Sequence, residues 1–134
     1  TGLKEEDLNL LYLFGKKLGL AFQVVDDILD FTGNEQQLGK PAASDLASGY
    51  LTAPVIYALE EKTSLSLLIQ REFSREGDLQ EALDLVRASN AIKKSRDLAE
   101  TFARESREAI KWLPESPSRR ALLELPEFVL SRLF

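Results

Sequence analysis

Four residues in one segment have side chains that could do chemistry: Gln23, Asp26, Asp27 and Asp30. Between Leu18 and Phe31 only these and Gly19 are not clearly apolar. On a helix their relative positions of 0, 3, 4 and 7 share one face. The result is a narrow polar stripe on an oily helix. Three carboxylates there are hard to justify as scaffolding. Aspartate is a mediocre helix former, and the helix macrodipole disfavours negative charge near a C-terminus. The neighbours three and four positions from Asp26 are Phe22, Gln23, Leu29 and Asp30; those from Asp27 are Gln23, Val24, Asp30 and Phe31. None is basic. Like charges at i,i+4 cost roughly a few tenths of a kcal/mol when exposed. A partly buried charge with no counter-charge costs roughly several kcal/mol. Two readings follow. Either the acids solvate one side of the helix, or a divalent cation is gripped across one helical turn.

The rest of the composition narrows the chemistry. The 134 residues contain no cysteine and no histidine. That excludes disulfides, thiolate and imidazole metal sites, and a Ser-His-Asp triad. Any metal must be held by oxygen, so it must be a hard cation such as Mg²⁺, Mn²⁺ or Ca²⁺. A net charge of −5 without a basic cluster argues against nucleic acid as a partner. No apolar run reads as a bilayer crossing, so no transmembrane segment is expected, and no signal-peptide pattern opens the chain. The chain begins with Thr1 and lacks methionine, and the expectation is a piece of a longer protein.

Apolar residues recur at three and four, not two, which predicts an all-α helical bundle. The first helix is expected from Lys4 to Phe31. It is apolar nearly all round, as in the interior of a sizeable assembly. A loop is expected from Thr32 to Gly49, rich in glycine, proline and serine. Helices should follow from a Thr52 cap with Pro54 in the first turn; from Leu65 to Phe73 after Ser64; and from Asp78, with Glu81 completing a capping box. A long helix should run from Asn90 to Leu113, with Glu100 and Arg104 paired on its outer side. A last helix should open at Ser116-Pro117 and be kinked or broken by Pro126.

The stretch Gly19-Leu20-Ala21-Phe22-Gln23-Val24-Val25-Asp26-Asp27-Ile28-Leu29-Asp30-Phe31 resembles the second aspartate-rich motif of trans-isoprenyl diphosphate synthases, the polyprenyl synthetase family. The match continues through Leu38-Gly39-Lys40-Pro41, Ser44-Asp45-Leu46 and Gly49-Tyr50-Leu51-Thr52-Ala53-Pro54. Beyond Leu59 the likeness becomes general helical character. The resemblance implies that residues 1–134 are the C-terminal portion of a single polyprenyl synthetase domain, with the N-terminal portion absent. It implies an all-α, isoprenoid-synthase-type fold, usually a homodimer, with a heteromer as the variant. The implied reaction is Mg²⁺-dependent head-to-tail condensation of isopentenyl diphosphate with an allylic diphosphate, with Mn²⁺ as a substitute ion. Asp26 would ligate the metal directly, and Asp27 and Asp30 would complete the shell partly through water. Gln23 would face the reacting carbons and Lys40 would contact the diphosphate as a point charge. Asp45 is a weaker outer-shell candidate. Tyr50 stands where many short-chain members carry a basic residue, which resembles the long-chain synthases of cyanobacteria and plastids that make prenyl tails for quinones. The implied location is the cytoplasm, or a plastid in a photosynthetic eukaryote. The family's first aspartate-rich motif is not in this chain, so the chain alone is expected to be inactive. A non-catalytic regulatory subunit of a heteromeric synthase is the alternative, and a related terpene cyclase is a third reading.

Overall fold

The structure is a computed structural model and describes residues 3–33, 36, 39 and 41–133. Among these, all regular structure is helical, in line with the expected class. The helices are α1 (Glu5–Thr32), α2 (Ser44–Ala47), α3 (Ala53–Glu61), α4 (Ser64–Gln70), α5 (Asp78–Ala88), α6 (Ala91–Ala109) and α7 (Pro117–Ser131). The chain forms two compact units: Thr1–Val25 with Leu98–Phe134, and Asp26–Asp97.

In the second unit, α3, α4 and α5 contact one another and α2 rests on α5. Its core joins Phe31 of α1 to Leu46, Val55, Leu65, Leu68, Leu83 and Val86, all buried. Of the stripe expected on α5, Leu83 and Val86 are buried and Leu79 is partly so. In the first unit, Phe14, Ala109 and Ile110 form a small core, with Leu11, Leu18, Leu113 and Leu122 packed on it. The face of α6 that disappears from solvent is made of small residues: Ala91, Ser95, Ala99, Ala103 and Ser106. The two buried serines are satisfied by their own helix, Ser95 Oγ donating to Ala91 O at 2.7 Å and Ser106 Oγ to Ala103 O at 2.6 Å.

Local structure departs from the sequence expectation at several points. The Thr32–Gly49 stretch is not all loop, because α2 forms within it. Thr52 occupies the N-cap position of α3, but its side chain does not cap it, and the N-cap of α4 is Thr63 rather than Ser64, which is the first helical residue. α4 ends before Phe73: Glu72 and Phe73 turn left-handed, at φ 55° and 54°, and the Phe73 N–H donates back to Leu68 O at 3.2 Å. Both residues carry Cβ, so each costs on the order of 1 kcal/mol there. Partial burial of the Phe73 ring against the core helps to offset that. Asp78 makes no capping box. Gly77, at φ 84°, is the N-cap of α5, and the Asp78 carboxylate is used elsewhere. No ion pair within 4.0 Å joins Glu100 to Arg104 among the described residues. Pro126 does not break α7. It removes one backbone donor, but its ring is buried with Val129 on the inner face, and packing keeps the helix continuous. The expectation at Ser116 holds: its Oγ accepts from Arg119 N–H at 3.0 Å, with Pro117 at the first helical position.

By length and composition alone α1 could cross a membrane, with a mean hydropathy of 1.2 in its most apolar stretch. The core helix of an all-α protein has the same make-up.

Candidate functional site

The polar stripe lies on the C-terminal part of α1 as expected, and burial is graded along it. Gln23, in the first unit, is exposed, and Asp26, in the second, is half-buried. Asp27 is 8% exposed and Asp30 fully buried. Val25, Ile28 and Phe31 surround these acids in sequence and are buried too.

A helix C-terminus leaves carbonyls without intrahelical donors, and inside a core they must find others. Three different segments supply them here. Gly33 N–H donates to Leu29 O at 2.7 Å, and Ala43 N–H to Asp30 O at 2.9 Å. Arg87 donates to Phe31 O through Nε at 3.0 Å and Nη2 at 2.8 Å. Thr32 Oγ1 adds a bond back to Ile28 O at 3.2 Å. Arg87 lies 56 residues from Phe31, in the last turn of α5. A cation on a C-terminal carbonyl also opposes the negative end of the helix dipole.

Asp30 organises the returning chain. Its Oδ1 accepts from Asp45 N–H at 3.4 Å, in the first turn of α2. A buried carboxylate on α1 thus does for α2 what an N-cap side chain does for its own helix. The residue before α2, Ala43, is buried and left-handed at φ 61°. Its strained backbone is held by the bond to Asp30 O. Asp45 itself is half-buried, and Tyr50 N–H donates to its carbonyl at 3.0 Å.

The opposite end of α5 is pinned by an ion pair. The Asp78 carboxylate accepts from Arg71 Nε at 2.7 Å and Nη2 at 2.6 Å, and from Arg75 N–H at 3.0 Å. The Arg71 fork, aided by the Arg75 amide and opposed by burial, holds the Asp78 carboxyl below its ordinary 3.8. The same bond raises the Arg71 guanidinium above its ordinary value.

The donor chemistry fits a hard cation, since every candidate ligand is a carboxylate oxygen. Among the described residues, no three acidic side chains converge as a ready-made cage. Such a cation would therefore draw part of its shell from water or from the oxygens of a ligand, as Mg²⁺ usually does. Asp26, half-buried, is the most accessible of the three acids. Lys40 lies outside the described residues. The structure adds one residue that the sequence reading missed, Arg87. Nothing local marks it, because an arginine in the last turn of a helix is ordinary.

The family model described as Polyprenyl synthetase matches residues 1–86. A prenyl transferase of Synechocystis is 52% identical over 123 residues, covering 92% of this chain and 38% of that protein. The chloroplastic solanesyl diphosphate synthase 2 of Arabidopsis thaliana is 50% identical over 123 residues, covering 92% of this chain and 30% of that one. A polyprenyl synthase from Caulobacter crescentus CB15, solved with calcium and isoprenyl diphosphate, superposes with a TM-score of 0.83 at 32% identity. That match covers 97% of this chain and 41% of the other. The chain thus spans between 30% and 41% of the length of these relatives.

Proposed function

The chain belongs to the polyprenyl synthetase family, and on that premise we propose that the complete protein is a trans-prenyltransferase joining isopentenyl diphosphate head to tail to an allylic diphosphate. The observation that carries this is the graded acidic stripe on the apolar, internally braced end of α1. Asp26 is the carboxylate that would hold magnesium, or manganese in its place, directly, with Asp27 and Asp30 completing the shell partly through water. The ion, when bound, supplies the positive charge that draws off negative charge from the departing diphosphate. The chain's own residues keep that charge in place. Asp26, half-buried, would offer its oxygens to a ligand, and Asp30 holds the start of α2 through the Asp45 amide. Gln23 would present its amide to the reacting carbons, and Lys40 its ammonium to the diphosphate.

The similarity to solanesyl and cyanobacterial enzymes supports a long-chain product of the kind that forms quinone tails. The chloroplastic and cyanobacterial relatives support a plastid or cytoplasmic location. A homodimer, or a heteromer, is the assembly proposed for the complete protein.

The test is product formation by the full-length protein from isopentenyl and geranyl diphosphates, with and without Mg²⁺. Metal-dependent chain elongation is expected, and none from the 134 residues alone. No product from the full-length protein sinks the reading. Silence alone combined with stimulation of a catalytic partner would mark a regulatory subunit instead.

A further inference from the structure

We infer that Arg87 is a positioning residue for the acidic stripe: its guanidinium fork on the Phe31 carbonyl sets the end of α1 and, through it, the placement of Asp27 and Asp30. The inference rests on the function proposed above. It concerns a residue just beyond the segment matched by the family model, which ends at residue 86.

The geometry is specific. Both Nε and Nη2 reach one oxygen, at 3.0 and 2.8 Å. That oxygen belongs to the residue after Asp30 and lies one helical turn beyond Asp27. Two donors of a rigid planar group on one acceptor define direction as well as distance. Lysine has one flexible point charge and cannot do the same.

The fork is itself held on a fixed platform. α5, which carries Arg87, is tied at its first residue by the two bonds from Arg71 to Asp78. The neighbouring Val86 is buried in the same core as the Phe31 ring. Phe31 is thus held in two ways: its ring lies in the core that includes Val86, and its carbonyl accepts from Arg87.

Release of the fork has consequences for the acids. The Phe31 carbonyl would lose its charged donors, and the last turn of α1 would be free to fray. Asp30 sits in that turn, and its carbonyl and carboxylate hold Ala43 and Asp45. The loop and the acids would loosen together.

The charge of Arg87 makes the opposite prediction. A guanidinium near a cation site repels the cation, so loss of charge alone would tighten metal binding. The two roles therefore separate by sign.

The experiment uses the full-length protein as wild type, Arg87→Ala and Arg87→Lys. The first readout is calorimetric titration of Mg²⁺ in the presence of inorganic pyrophosphate. Both variants are expected to bind Mg²⁺ about tenfold more weakly, the usual scale for loss of a partner that orients a metal ligand. The second readout is amide hydrogen exchange without metal. The Gly33, Ala43 and Asp45 amides are expected to exchange faster in both variants.

Unchanged Mg²⁺ affinity in both variants overturns the inference, even if both are less stable. Tighter binding by Arg87→Ala with wild-type binding by Arg87→Lys also overturns it, since charge alone would then suffice. Weaker binding by Arg87→Ala alone does the same. If Arg87→Ala does not fold, Arg87→Lys decides. Failure of the wild-type protein to bind Mg²⁺ with pyrophosphate counts against the proposed function instead, and the exchange comparison then judges Arg87 by itself.

Discussion

Tyr12 and Ile28 lie on the same helix, yet Tyr12 is 73% exposed and Ile28 is fully buried. The contrast holds along α1. Leu8, Tyr12, Leu20 and Phe22 are exposed in its earlier part, whereas every residue from Val24 to Phe31 except Asp26 is buried. Composition does not separate the two parts, since both are apolar on several faces. Partners do. The later part has Arg87, Ala43, Asp45 and a core of α3, α4 and α5 within these 134 residues. A helix that is apolar all round becomes a core helix only where the chain supplies something to cover it.

The largest effect expected is at Asp26, the half-buried acid of the stripe. Asp26→Ala in the full-length protein should lower turnover on the order of 10²-fold, as for a lost metal ligand. The circular dichroism spectrum should stay unchanged. Wild-type turnover would place the metal elsewhere.

The next effect is on stability and tests the contrast itself. Ile28→Ala should cost about 2–5 kcal/mol in urea unfolding, because it leaves a cavity in a closed core. Tyr12→Ser should cost under ~0.5 kcal/mol in a chain of these 134 residues, where the ring faces water. A larger cost in the full-length protein would show that further chain covers this part of α1. Equal small costs in both would leave it a free surface.

The third effect is confined to acid. The Asp78 carboxyl is held below 3.8 in the folded state by Arg71 and the Arg75 amide. The folded state therefore binds fewer protons than the unfolded one in that range. The stabilisation is complete above pH 3.8 and is lost as the pH falls through the lowered folded value. Asp78→Asn should remove this part of the acid dependence from thermal melts between about pH 2 and pH 5, the carboxyl range. Identical acid profiles for the two proteins would show that the pair does not anchor α5.

Much of the fold was legible from residue spacing. The helical class, the span of α1, the Ser116-Pro117 start of α7 and the buried Leu83 and Val86 all follow from local periodicity and capping chemistry. The misses share a cause. Thr52, Ser64 and Asp78 have the right residue types for caps, but the Thr52 side chain does not cap, Ser64 falls inside α4, and tertiary contacts chose for Asp78. Pro126 has a local cost that packing outweighs. α2 has no side-chain cap of its own and takes a bond from Asp30, 15 residues away.

The candidate site divides in the same way. Its acids, their shared face and the absence of a basic residue within one turn of them were readable from the chain, because a helix repeats every 3.6 residues. Their graded burial, the bond from Asp45 to Asp30 and the arrival of Arg87 at the end of α1 were decided only by the tertiary structure. Periodicity is a property of neighbours in sequence. Where a buried carbonyl finds its donor depends on how distant segments close around it, and no residue type announces that in advance.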